Sequence, residues 1–129
     1  MGVTGQVKRG SIVYLSLDPT RGHEQGSFRP LLVVSDGFIQ SNPGSTNAFI
    51  VPITTKDRSN VMKIPVPADI KVDGALVGKP EWTELSGFSI PNHARSVDLS
   101  ARNAVVIGEV DPQSDFYLRS VTIVRAILA

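Results

Sequence analysis

Short apolar runs rich in β-branched residues recur along the chain at residues 12–17, 31–34, 48–53, 61–66, 85–90 and 104–110. Runs of this length, built from Val, Ile and Leu, suit strands better than helices. Between them lie clusters of Gly, Pro, Asn and Ser such as "SNPGST" and "KVDGALVGKP", the residues that make turns. The two features together predict a mostly β domain. Within 61–66, Met62, Ile64 and Val66 alternate with Lys63 and Pro65. Pro65 and Pro67 have no N–H to give to a ladder, so this segment is expected at a sheet edge. Six or so short antiparallel strands in a 129-residue chain are expected to curl into a small β barrel, because closure removes exposed edges. The size is that of one domain, spanning 1–129.

The last segment has a different period. Tyr117, Val121, Val124 and Leu128 recur at helical spacing, and Phe116, Ile123 and Ile127 widen the stripe. Asp111 as N-cap and Pro112 at the first helical position are expected to open this C-terminal helix. Its apolar face would pack on the sheet or close one end of the barrel.

Composition narrows the function classes. The chain has no cysteine, which excludes disulfides and thiolate metal sites. His23 and His93 lie far apart with no carboxylate cluster at helical spacing, so neither a metal nor another cofactor is expected. No apolar run approaches the roughly 18 residues a membrane span needs, and the first residues lack a secretory-signal pattern. A cytoplasmic protein without a membrane partner is the expectation. Net charge is only +1, but it is unevenly spread. Lys8, Arg9, Arg21 and Arg29 outnumber Asp18 and Glu24 near the start, while Glu109, Asp111 and Asp115 outnumber Arg119 and Arg125 near the end. An anion site is therefore expected beside the first loop.

That loop, "DPTRGHEQGSFRP" at residues 18–30, joins two runs that a tight hairpin would connect with about two residues. One reading is a compact surface loop in which Arg21 and Glu24 form an ion pair. The other is functional: an arginine fork suits phosphate oxygens and a histidine suits proton transfer near neutral pH, the residue types of phosphodiester chemistry.

The stretch "KRGSIVYLSLDPTRGHEQGSFRPLLVVS", followed by "FIVPITTK" and later "ARSVDLSARN", resembles the MazF/PemK family of toxin ribonucleases. The likeness runs from Lys8 to about Lys56, resumes around Arg95 to Val110, and is loose between. It implies an SH3-like barrel that acts as a homodimer, cuts single-stranded RNA without a metal through attack of the ribose 2′-hydroxyl on the adjacent phosphate, and is restrained by a cognate antitoxin with an acidic C-terminal segment. Arg29 and Thr54 fall on the family's catalytic arginine and threonine. His23 stands where it could accept the 2′-hydroxyl proton, or could be a loop histidine contacting backbone or phosphate. Arg21, Glu24, Gln25, Lys56 and Arg95 are the expected RNA contacts, with Arg58 a further basic residue beside Lys56. The plainer reading pairs Arg29 with Glu24 and lets Thr54 cap a strand end.

The chain also departs from the pattern. Where one branch of the family has an arginine and, two residues later, an aspartate, this chain has Ile90 and Asn92, which can neither bind phosphate nor shuttle a proton. His93 follows and could compensate for the missing pair, but it is expected to be a buried, hydrogen-bonded structural histidine. The region 69–87 is long and polar, and its Trp82 is expected to plug the barrel end or a dimer contact, with base stacking as the alternative. A catalytically inactive member that still binds antitoxin or nucleic acid is the competing function.

Overall fold

The computed structural model describes residues 2–17, 28–39, 44–56 and 62–128. Within them, strands β1 (Ser11–Ser16), β2 (Phe28–Val33), β3 (Asn47–Thr54), β4 (Ile64–Pro65), β5 (Phe88–Ser89), β6 (Arg95–Asp98) and β7 (Val105–Glu109) precede one helix, α1 (Asp115–Leu128). Every strand pair is antiparallel, in the order β4-β5-β3-β2-β1-β7, with β6 also paired to β3. The architecture is a mostly antiparallel sheet with one C-terminal helix. Among the described residues β4 and β7, at the two ends of the order, do not pair with each other.

The middle of each of β1 to β3 is a continuous apolar run because both of its faces are covered. Val13, Leu15, Leu31, Val33, Ala48 and Ile50 enter one cluster with Val97, Leu99 and Ala104. The alternate residues Ile12, Leu32, Val51 and Ile53 enter another, capped by Phe116, Tyr117 and Val124 of α1. Side chains two apart share a face, so each strand feeds both cores.

Pro52 decides the geometry near the site. Up to Ile50, β3 pairs with β6, and from Ile53 onward it pairs with β5. A proline cannot donate to a ladder, and the partner exchange falls where Pro52 sits. Its carbonyl still accepts the Ile90 N–H at 2.9 Å. Between β5 and β6 the chain makes a single 3-10 turn, Pro91–His93, tied by His93 N–H to the Ile90 carbonyl at 3.0 Å.

Several expectations are refined. The segment 61–66 does lie at the edge, but only Ile64 and Pro65 form a strand there, since Pro65 and Pro67 leave few N–H groups for pairing. The strand within 85–90 shortens to Phe88–Ser89. β6 was not expected as a strand, because in "RSVD" only Val97 is buried and no apolar run announces it. The helix begins later than its "DP" signal. Asp111 instead makes a preceding turn, its side chain accepting the Gln113 N–H and its carbonyl the Ser114 N–H, both at 2.9 Å. Ser114 then caps α1, its hydroxyl accepting the Tyr117 N–H at 3.3 Å. The buried stripe ends at Val124, leaving Ile127 and Leu128 exposed.

The helix is fastened to the sheet by polar groups as well. Tyr117 donates its hydroxyl to the Val34 carbonyl at 3.3 Å, and burial pushes its phenol above the usual tyrosine range. Ser120 donates to the Phe116 carbonyl at 3.0 Å, so in the fully buried Ser89–Ser120 pair, 2.9 Å apart, Ser89 is the donor. Ser120→Ala strands that donor, and a loss of about 1–3 kcal/mol in urea unfolding is expected. A change below about 0.5 kcal/mol would show that the pair contributes nothing.

Candidate functional site

Pairing brings the first two candidates together. Leu31, Leu32 and Val33 of β2 stand opposite Pro52, Val51 and Ile50 of β3. The same register carried two residues further sets Arg29 against Thr54 at the ends of neighbouring strands. Both are half-buried. The Arg29 Nε is buried and has no hydrogen-bond partner among the described residues. A buried arginine donor without a partner is costly, so this position calls for an acceptor. The Thr54 hydroxyl oxygen accepts the Lys56 N–H at 3.1 Å, which fixes the side chain while leaving its own hydrogen to be donated outward.

Two cavities meet at this pair, because Arg29 and Thr54 line both. The first, about 380 Å³, has Tyr14, Phe28, Lys56, Lys79 and Trp82 in its wall. The second, about 400 Å³, opens where β3 exchanges partners and is walled by Leu17, Pro52, Ile90, His93 and Arg95. Thus Arg29, Thr54, Lys56 and Arg95, from three strands and the turn after β3, converge on one region. The loop candidates His23, Arg21, Glu24 and Gln25 lie outside the described residues, as does Arg58. Among the described residues no group of three His, Asp or Glu side chains could hold a metal ion.

His93 differs from expectation. It is exposed and faces the second cavity, because the Pro91–His93 turn buries Pro91 and turns the next two residues outward. Tyr14, Phe28 and Lys79 escaped the sequence reading. Phe28, placed one residue before Arg29 and on the other face of β2, was the available signal.

Glycine 87 holds the Thr54 end of β3 in place. Its φ is +108°, and a Cβ there would overlap the Thr54 carbonyl oxygen, so only a glycine permits this approach. Its carbonyl meanwhile accepts the Val66 N–H at 2.8 Å.

The PemK-like, MazF-like toxins of type II toxin–antitoxin systems match this chain over residues 8–115. The chain belongs to this family. Among its relatives are the endoribonuclease toxin MazF of Escherichia coli, 26% identical over 81% of this chain and 79% of that protein, and the endoribonuclease EndoA of Bacillus subtilis, 32% identical over 56% of this chain and 57% of that one. The fold is similar to a MazE–MazF crystal structure from Deinococcus radiodurans, with a TM-score of 0.71 at 24% identity over 96% of both chains. MazF from the same organism gives a TM-score of 0.70 at 24% identity, covering 96% of this chain and 97% of that one.

In this MazF-like chain the "ARSVDLSARN" motif does architectural service. Asp98 accepts from the Thr46 hydroxyl and from the Ala101 N–H, and these bonds, the Thr46 one foremost, hold its carboxyl below the usual aspartate range. Arg102 donates to the Ser16 carbonyl at 2.9 Å, anchoring the end of β1 from which the first loop departs. Lys8 and Arg9 form exposed pairs with Glu109 and Asp36, at 2.8 and 3.6 Å. Neither base lines the two cavities, and among the described residues the positive charge beside Thr54 comes from Arg29, Lys56, Lys79 and Arg95.

Proposed function

We propose that this chain is a toxin endoribonuclease that cleaves single-stranded RNA and is neutralised by a cognate antitoxin. The observation that carries this reading is the buried Nε of Arg29, without a partner among the described residues, beside the Thr54 hydroxyl at the meeting of two cavities. Family membership and relatives named endoribonucleases support it.

In the proposed reaction the ribose 2′-oxygen attacks the adjacent phosphorus, its proton passes to a base, the bond from phosphorus to the 5′-oxygen breaks, and that oxygen takes up a proton. The products are a 2′,3′-cyclic phosphate and a 5′-hydroxyl. Negative charge grows on the nonbridging oxygens as the new bond forms, and Arg29 and Thr54 donate to them from fixed positions. Neither has to exchange a proton. His23 is the proposed base, and His93 is a second imidazole facing the same strand ends. Arg21, Glu24, Gln25, Lys56 and Arg95 are the proposed RNA contacts. Charge stabilisation by Arg29 and Thr54 lets the step proceed without a metal.

The finer structural part of the proposal is an SH3-like barrel in which β6-β3-β2-β1-β7 curl around the cluster of Val13, Leu31, Ile50 and Val97. It works as a cytoplasmic homodimer, which sedimentation at micromolar concentration checks. The antitoxin is taken to bind through an acidic segment, since arginines set for phosphate also attract carboxylates. Three crystal forms of MazE–MazF from Deinococcus radiodurans are among the structures of similar fold.

Incubation of the purified protein with a long single-stranded RNA in EDTA tests the activity. Discrete fragments ending in a cyclic phosphate are expected. Intact RNA in the presence of folded protein would favour the inactive binding module, which Ile90 and Asn92 make the competing reading.

A further inference from the structure

We infer that the first cavity is a nucleobase subsite: Tyr14, Phe28 and Trp82 stack one base of single-stranded RNA while Lys56 and Lys79 neutralise the phosphates on either side of it. This rests on the proposed ribonuclease reading and assigns the part of the groove opposite His93.

Three aromatic rings converge here in a chain with only 6% aromatic residues. The Tyr14 ring stacks on Phe28 at 5.8 Å between centroids, and Trp82 meets Tyr14 edge-on at 5.5 Å. Phe28 nonetheless leaves 44% of its surface exposed, and it lines the cavity. An aromatic ring packed on one side and open on the other is a stacking platform, and every base has a π-face to offer it. The volume, about 380 Å³, is at the lower end for small-molecule sites and suits a single nucleotide.

The charge fits the same ligand. Lys56 and Lys79 are exposed at the cavity, and among the described residues neither forms an ion pair. With Arg29 and Thr54 at the inner edge, a base seated on Phe28 lies next to the reacting phosphate.

The far wall is built in advance. Gly74 donates its N–H to the Trp82 carbonyl at 3.0 Å, Lys79 donates to the Gly74 carbonyl at 2.8 Å, and Trp82 donates to the Lys79 carbonyl at 2.9 Å. The indole N–H is spent on the Glu84 carbonyl at 3.0 Å, which leaves the ring face for stacking. At Gly74 a Cβ would collide with the Trp82 carbonyl oxygen, 2.6 Å away, so a glycine there lets this segment close. The long polar stretch 69–87 thereby acts as the wall that brings Trp82 and Lys79 to the site.

Trp82 is the sole tryptophan of the chain, so its fluorescence reports on this cavity alone. The wild-type protein would be titrated with a mixed-sequence single-stranded RNA fully methylated at the 2′-oxygens, which cannot be cleaved, and with an abasic oligonucleotide of equal charge. Quenching by the first and not by the second is expected. Phe28→Ala should weaken the apparent Kd about tenfold or more, the loss of one stacking partner, and Lys79→Ala should lower the salt slope by about one. If the methylated RNA binds by anisotropy without changing Trp82 fluorescence, or if the abasic strand quenches equally, the subsite is overturned while cleavage of unmodified RNA stands. Quenching by an acidic peptide alone would overturn it in favour of a protein ligand. Absence of both RNA binding and cleavage would remove the ribonuclease reading itself.

Discussion

Arg29→Ala is expected to lower RNA cleavage by on the order of 100-fold or more, the scale on which removing one preorganised donor acts. The argument is geometric. Arg29 reaches the site from the first residues of β2 beside Thr54, and its buried Nε has no hydrogen-bond partner among the described residues, so the guanidinium gives up no competing bond there when it meets a phosphate. Arg29→Lys should recover little, since an ammonium keeps the charge but not the planar fork. Thr54→Ala should lose a similar or smaller factor, because one neutral donor is removed. Asn92→Ala should change little, as the asparagine has no proton to exchange and its side chain is outside both cavities. Rates would be measured on variants that retain the wild-type circular dichroism spectrum. Full activity in Arg29→Ala would overturn the mechanism, and collapse in Asn92→Ala would move the chemistry to the Pro91–His93 side of the groove.

The second large effect is expected at a residue with no functional group. Gly87→Ala must place a Cβ against the Thr54 carbonyl at a φ that L-residues rarely adopt. Backbone strain and overpacking together should cost about 2–4 kcal/mol in urea unfolding. Relief can come only by moving β5 or the end of β3, and the latter carries Thr54. Cleavage by the fraction still folded should therefore fall as well, through kcat more than KM. Ser120→Ala is the matched control: it loosens the same β5 from the helix side but leaves the Thr54 carbonyl untouched. If Gly87→Ala were no less stable and no less active than the wild type, the close approach at Thr54 would be without consequence.

How much of this was legible beforehand varies from element to element. The cores of β1, β3 and β7 could be read from their apolar runs, and α1 from its 3.6-residue stripe, because burial on a regular element leaves a periodic trace. β6 left none, since "RSVD" buries a single side chain and owes its strand to pairing with β3. The start of α1 was misplaced by three residues because both Asp111 and Ser114 are good cap formers, and only the path of the chain chose Ser114. Arg29, Thr54, Lys56 and Arg95 were found through the family resemblance, which marks residue types in order but carries no distances.

By itself, then, the amino-acid sequence determined a mostly β chain with a C-terminal helix, kinship with the PemK-like, MazF-like toxins, and the identity of the arginine and threonine in the candidate site. These are properties of composition, periodicity and residue order. The tertiary structure alone decided that Arg29 and Thr54 face one another, because their register depends on the pairing of β2 with β3 across the connection at residues 34–46. It decided that His93 is exposed beside them, because β3 changes partners at Pro52 and the turn after β5 emerges there. It also turned Tyr14, Phe28 and Trp82, dispersed through the chain, into one wall. Side chains far apart in sequence become neighbours only through packing, and no local pattern records which ones will meet.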